Sequence, residues 1–396
     1  MIMNNKNYNK TKLACYLGFI TQAITANFVP LLYMTFYKMY EVSLAKIALI
    51  STTFFVTQLI VDFLCVKLAD RIGYRKCIII SEVMAGSGLI MLSFLPDIMP
   101  DHYLGIILCT IVYAIGSGLI EVLCSPIIEA CPFENKAGMM ALLHSFYCWG
   151  SVGVIFFSTV FFKLFGIEKW RILAVIWALV PILNVYNFAT CPIEPITDEK
   201  DGMKLSMLFK QKLFWLFIIL MVCAGACEIA LGQWASSFVE SALHVSKSIG
   251  DLAGPCAFAL FMGISRVLYT KYGEKRNLTV FMLISGILCL SSYLIASLTS
   301  LSIMGLIGCM LCGFSVGIMW PGSISIASKK MPKAGTALFA FLALAGDMGG
   351  ALGPAVVGTV SQKANDNLKI GILAGIIFPV VLIICTIILH KKNPDT

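Results

Sequence analysis

Long apolar runs alternate with short polar breaks from one end of this chain to the other. A helix needs roughly 20 mostly apolar residues to cross the hydrocarbon core of a bilayer. Twelve windows meet that measure, with edges set by charges and turn residues: 12–35, 44–66, 77–96, 103–124, 139–163 and 170–190, then 213–236, 249–270, 278–298, 301–325, 335–360 and 368–390. None shows the ten-residue alternation of a membrane β-strand. The pattern predicts an all-α membrane protein of 12 transmembrane helices. Its longest polar stretch, Cys191 to Lys212, separates six windows from six. That predicts an N-terminal six-helix bundle over 1–190, a cytoplasmic linker over 191–212 and a C-terminal six-helix bundle over 213–396.

Composition agrees and narrows the class. The 396 residues are 59% hydrophobic and 13% charged, whereas soluble domains carry about 25% charged residues. A cytosolic enzyme, a secreted disulfide module and a disordered chain are excluded. The net charge of +8 points to topology rather than to nucleic acid. With the N-terminus inside, the inner loops hold 20 Lys and Arg and the outer loops 8, the expected positive-inside bias. Both termini are therefore expected in the cytoplasm, in a multi-pass cell-membrane protein. The basic start and the apolar run after it imitate a signal peptide, but no small-residue cleavage site follows, so the run reads as a retained first span. Most of the 15 Cys lie inside apolar windows without zinc or iron–sulfur spacing, as small buried hydrophobes. No metal or cofactor is expected.

The halves echo each other. Leu68 to Lys76 (LADRIGYRK) follows span 2, and Leu268 to Arg276 (LYTKYGEKR) follows span 8 at an offset of 200, pairing Gly73 with Gly273. Lys136-Ala137-Gly138 is matched by Lys333-Ala334-Gly335 at an offset of 197. Paired six-helix repeats are typical of secondary transporters, whose sites lie where the repeats meet.

The loop after span 2 resembles the signature of the major facilitator superfamily, G-x-L-A-D-R-x-G-R-R, over Val66 to Lys76. Asp70, Arg71, Gly73 and Arg75 match it, while Val66 replaces its first Gly and Tyr74 a basic residue. The resemblance implies that this loop ties helix ends together and helps switch the protein between inward-open and outward-open states. Gly116 to Pro126 (GSGLIEVLCSP), Leu143 to Gly150 (LHSFYCWG), Glu228 to Trp234 (EIALGQW) and Gly335 to Gly358 look like the branch that holds the bacterial fucose permeases, a group of sugar:proton symporters. Those permeases use a carboxylate in span 1. Here span 1 has no acid, and its polar residues are Thr21, Gln22, Thr25 and Asn27.

Ionisable groups at bilayer depth are costly and mark function by default. Glu121 in span 4 lacks a cationic neighbour in sequence, which suits a proton-coupling group or an interhelical hydrogen bond. Glu228, Gln233 and Trp234 in span 7 supply the carboxylate, amide and aromatic face that a sugar needs, although Trp234 also suits an interfacial belt. His144, with Tyr147 on its aromatic side, suits substrate binding, a proton relay or an interhelical bond. Asp347 sits among glycines and Pro354 in span 11, where it could report protonation or stitch a broken helix. Trp320-Pro321-Gly322 marks a kink in span 10. Arg266, inside span 8, reads as a gating or structural ion pair, and Asp62 as part of a conformational lock.

No Walker or zincin motif occurs, so enzyme chemistry is not expected. The favoured reading is proton-coupled uptake of a sugar or similar small polar solute by alternating access, with protons, solute and the lipid bilayer as partners and no obligate protein partner. Efflux of hydrophobic or drug-like compounds is one alternative, since 26 Phe and 19 Met are present. A non-transporting membrane sensor or scaffold is another, disfavoured by the retained membrane acids and the short linker.

Overall fold

The structure, a computed structural model, describes residues 7–42, 44–194, 203–243, 252–272, 277–299, 301–365 and 367–392. It is helical throughout, with no strand among the described residues. The principal helices are α1 (Tyr8–Asn27), α2 (Leu44–Ile72), α3 (Tyr74–Leu92), α4 (His102–Ala130), α5 (Lys136–Phe165), α6 (Trp170–Thr190) and α7 (Lys212–Leu243). They continue as α8 (Ala257–Tyr272), α9 (Leu278–Leu298), α10 (Ser302–Val316), α11 (Met319–Lys330), α12 (Gly335–Lys363), α13 (Leu368–Ala374) and α14 (Ile377–Lys392).

All 12 apolar windows fall on helices over their described residues. Among the described residues, nine helical segments are long and apolar enough to cross a membrane by length and composition. Many large apolar side chains face outward, including Phe63, Phe156, Phe157 and Leu183. Exposure on that scale suits hydrocarbon rather than water. Two windows contain breaks. Span 10, expected to run unbroken through a kink, divides into α10 and α11 around Gly317, and span 12 divides into α13 and α14. The first break has a direct cause: Pro321 has no N–H, so the carbonyl four residues earlier, that of Gly317, loses its helical partner.

The chain forms two compact units: 1–132 with 149–198, and 133–148 with 199–396. The boundary falls inside the continuous helix α5, between Cys148 and Trp149. In the first unit α3 packs on α4 through glycine. A Cβ at Gly116 would lie 2.5 Å from the backbone of Ser81 and Ala85, and one at Gly88 2.6 Å from the nitrogen of Tyr113. Small residues permit such backbone approach where lipid supplies no hydrophobic drive. One end of this unit is filled by Phe28, Leu32, Phe36, Leu92, Tyr113 and Trp170. Gly73, at φ +93°, makes the one-residue reversal between α2 and α3, a backbone region that side chains resist.

In the second unit α12 lies against α7. A Cβ at Gly225 would strike the Gly346 carbonyl, and one at Gly349 the Val222 carbonyl. Side-chain caps define several helix starts, as Ser, Thr, Asp and Asn do generally. Asp101 accepts from the Tyr103 nitrogen at 2.9 Å, and Asn277 from the Thr279 nitrogen at 2.9 Å.

Candidate functional site

Each unit carries a buried polar constellation around one membrane carboxylate. In the first, Glu121 projects from α4 and is half-buried. Gln22 of α1 donates to its Oε2 at 2.7 Å, and Gln58 of α2 donates to the same oxygen at 3.3 Å. Gln58 also reaches Ser117 Oγ, one turn before Glu121, at 3.3 Å. The i, i+4 spacing of Ser117 and Glu121 puts both on one helix face. Gly118, between them, lets α2 close in, since a Cβ there would be 3.2 Å from Val61. One turn and a half beyond Gln22, Asn27 donates to Ser151 Oγ of α5 at 3.1 Å. A set of amides and hydroxyls around a carboxylate can donate to and accept from solute hydroxyls.

In the second unit the organiser is Arg266 of α8, which is 2% exposed. Its Nε donates to the Gly317 carbonyl at 2.8 Å, the group released by Pro321. Its Nη1 donates to the His144 carbonyl at 2.7 Å and lies 3.0 Å from Cys148 Sγ. Its Nη2 meets Glu228 Oε2 of α7 at 3.4 Å. Thr270, one turn later, donates to the Gly138 carbonyl at 3.0 Å. Four segments therefore meet at one guanidinium: α7, α8, the α10–α11 break and the first half of α5. Gly317 permits this, because a Cβ there would press to 2.8 Å on Ser265.

The other expected residues are spread more widely. His144 is buried, and it is its backbone carbonyl that reaches Arg266. Tyr147 is half-buried on the same helix. Asp347 is half-buried next to Gly346, where α12 meets α7 and the Trp320 ring. Asp62 is fully buried in α2. Arg75 grips the end of α6, with Nη1 donating to the Phe188 carbonyl at 2.7 Å and Nη2 to that of Cys191 at 2.8 Å. A cation on the last carbonyls complements the helix dipole. Arg71 is exposed. The side chains of Gln233, Trp234 and Asp70, and the whole of Gly273, lie outside the described residues.

Sequence reasoning singled out neither Gln22 nor Gln58 as a ligand of Glu121, nor the Gly317 carbonyl as a ligand of Arg266. It also passed over Glu82 in span 3, which is 0% exposed. The rule that flagged Glu121, an acid inside an apolar window, applies equally to Glu82. Among the described residues no group of three His, Cys, Asp or Glu side chains is placed to hold a metal ion.

The sequence profile of the Major Facilitator Superfamily matches residues 14–354. Proteins described as uncharacterized MFS-type transporters from Yersinia pestis (strain Pestoides F) and Yersinia pseudotuberculosis are each 19% identical over 369 residues, 88% of either chain. Among solved structures, the E. coli Fucose:proton symporter FucP superposes with a TM-score of 0.79 at 17% identity, covering 96% of this chain and 98% of its own. The proton:xylose symporter XylE bound to 6-bromo-6-deoxy-D-glucose gives 0.82 at 13% identity, over 97% and 95%. These likenesses establish the fold.

Proposed function

We propose that this chain, which belongs to the Major Facilitator Superfamily, takes up a sugar or similar small polar solute together with protons. The observation that carries the reading is Glu121, a membrane carboxylate gripped by the carboxamides of Gln22 and Gln58. A carboxamide presents both a donor and an acceptor, so it serves the charged and the neutral acid alike. Glu121 can thus gain or lose a proton while Gln22 and Gln58 reorient around it, and Asn27 and Ser151 add hydroxyl-matching groups nearby. The names of the solved neighbours, symporters of fucose and xylose with protons, favour the same substrate class.

Glu228 and Arg266 have a different part in this reading. The guanidinium fixes the first half of α5 against α8 and the α10–α11 break, as one element of a conformational lock. Asp62, Asp70, Arg71, Gly73, Arg75 and Gly273 form the loop-side elements, and His144, Tyr147, Gln233, Trp234 and Asp347 are further candidates for solute or proton contact. The halves 1–190 and 213–396, joined by 191–212, are the moving bodies. Both termini are cytoplasmic, the membrane is the cell membrane, and the proton gradient takes the place of any cofactor.

Purified protein in liposomes, offered sugars, polyols and nucleosides with and without a pH gradient, tests this. A sugar whose uptake accelerates with an inward proton gradient is the expected result. Flux of every solute at a rate indifferent to the gradient contradicts it.

A further inference from the structure

Glu82 lies on α3, is 0% exposed and has no part in the site above. Its Oε1 accepts from Asn184 Nδ2 of α6 at 2.8 Å, and its Oε2 lies 3.0 Å from Thr21 Oγ1 of α1. Asn184 also donates to the Ala14 carbonyl of α1 at 2.9 Å. One carboxyl group thus joins three helices, with α1 tied to it directly by Thr21 and, through Asn184, by the Ala14 carbonyl. No cation is among its partners in the described residues. From α1 the thiol of Cys15 faces it, from α4 Cys124 borders the same space beside Gly18, and α6 presents only amides.

A carboxylate removed from water among neutral partners is far more costly than the same group carrying its proton. The neutral acid fits the observed contacts without rearrangement. Its O–H donates to Thr21 Oγ1, since a hydroxyl accepts as readily as it donates, and its carbonyl oxygen keeps the Asn184 bond. The next residue along α1 is Gln22, the ligand of Glu121. Successive helical residues point about 100° apart, so α1 is held on one face by Glu82 and holds Glu121 on the adjacent one.

We propose that Glu82 is a resident proton-binding site, a permanently neutral acid that fixes the rotation of α1 and so positions Gln22 on Glu121. Glu82 is a positioning residue, and its proton is not the one exchanged. The inference needs no solute; its link to Glu121 rests on the transport reading, while the Glu82 band itself does not.

Infrared spectroscopy of the purified protein tests it through the carbonyl stretch of protonated carboxyl groups, followed from roughly pH 5 to 7. A band that persists unchanged over that range, survives Glu121→Gln and disappears in Glu82→Gln is expected. Glu82→Gln, the isostere of the neutral acid, keeps the thermal midpoint of the parent at every pH and leaves the Glu121 band titrating where it did. Glu82→Leu shifts the midpoint of the Glu121 band, because α1 is released. A spectrum that Glu82→Gln leaves unchanged overturns the proposal. So does a stability gap between parent and Glu82→Gln that widens with pH, or a Glu82→Gln protein that fails to fold while Glu82→Asp folds.

Discussion

Glu121 and Glu228 both lie in apolar windows, yet they are held in opposite ways. Two carboxamides hold Glu121, at 2.7 and 3.3 Å. A guanidinium meets Glu228 at 3.4 Å, and that guanidinium binds two backbone carbonyls more closely, at 2.7 and 2.8 Å. Amides turn to suit either protonation state. Arg266 offers donors alone. The same residue type thus suits two jobs: a carboxyl free to exchange a proton, and a carboxylate that completes a fixed charged joint.

The sharpest way to break this comparison is Arg266→Met. Removing one partner of a buried ion pair costs about 3–5 kcal/mol, and here four segments lose their common ligand. The expected outcome is a large drop in thermal midpoint in detergent, only partly relieved by adding Glu228→Gln. A midpoint equal to that of the parent contradicts the fixed joint. Next in size is Gln22→Leu, which deprives Glu121 of its shorter hydrogen bond and costs about 1–3 kcal/mol, with Gln58→Leu a little less because its bonds are longer.

Glu121→Gln stands at the other pole. The new carboxamide can still pair with Gln22, so stability changes by less than about 1 kcal/mol, while pH-gradient-driven accumulation is lost and solute exchange continues.

The smallest effect is expected at the exposed ends of the spans, where Asp97 accepts from Arg171 Nε at 2.8 Å and Tyr40 at 2.7 Å. Partial burial raises the Asp97 carboxyl, but the bonds from Arg171 and Tyr40 and the Arg171 charge outweigh it and hold the group below its ordinary value. The stabilisation is therefore present above the ordinary carboxylate range of about 4 and lost as pH falls through the depressed folded value. For so exposed a pair it amounts to less than about 1 kcal/mol. Unfolding midpoints of parent and Asp97→Asn, converging as pH drops through that range, check it.

The span pattern was legible because a bilayer imposes one length on every crossing helix. Arg266 was legible as a buried cation needing partners, and Pro321 as a kink. The identity of those partners was not, because a freed carbonyl at Gly317 depends on Pro321 and its use depends on which helix packs beside it. Gln22 and Gln58 did not register as ligands of Glu121, since amides cost too little in an apolar window to stand out. Glu82 was as visible as Glu121, but its ligands, Thr21 and Asn184, are 61 and 102 residues away and could not be paired with it. Side chains that satisfy a buried acid across helices leave no local mark near it.

Proton movement during solute entry tests the central claim most directly. In liposomes of the parent protein, adding a transported sugar to a weakly buffered medium is expected to turn that medium alkaline. Glu121→Gln should abolish the change while retaining sugar exchange, and Glu82→Gln should leave it intact. Undiminished alkalinisation by Glu121→Gln would contradict the account, because the proton would then travel on another group.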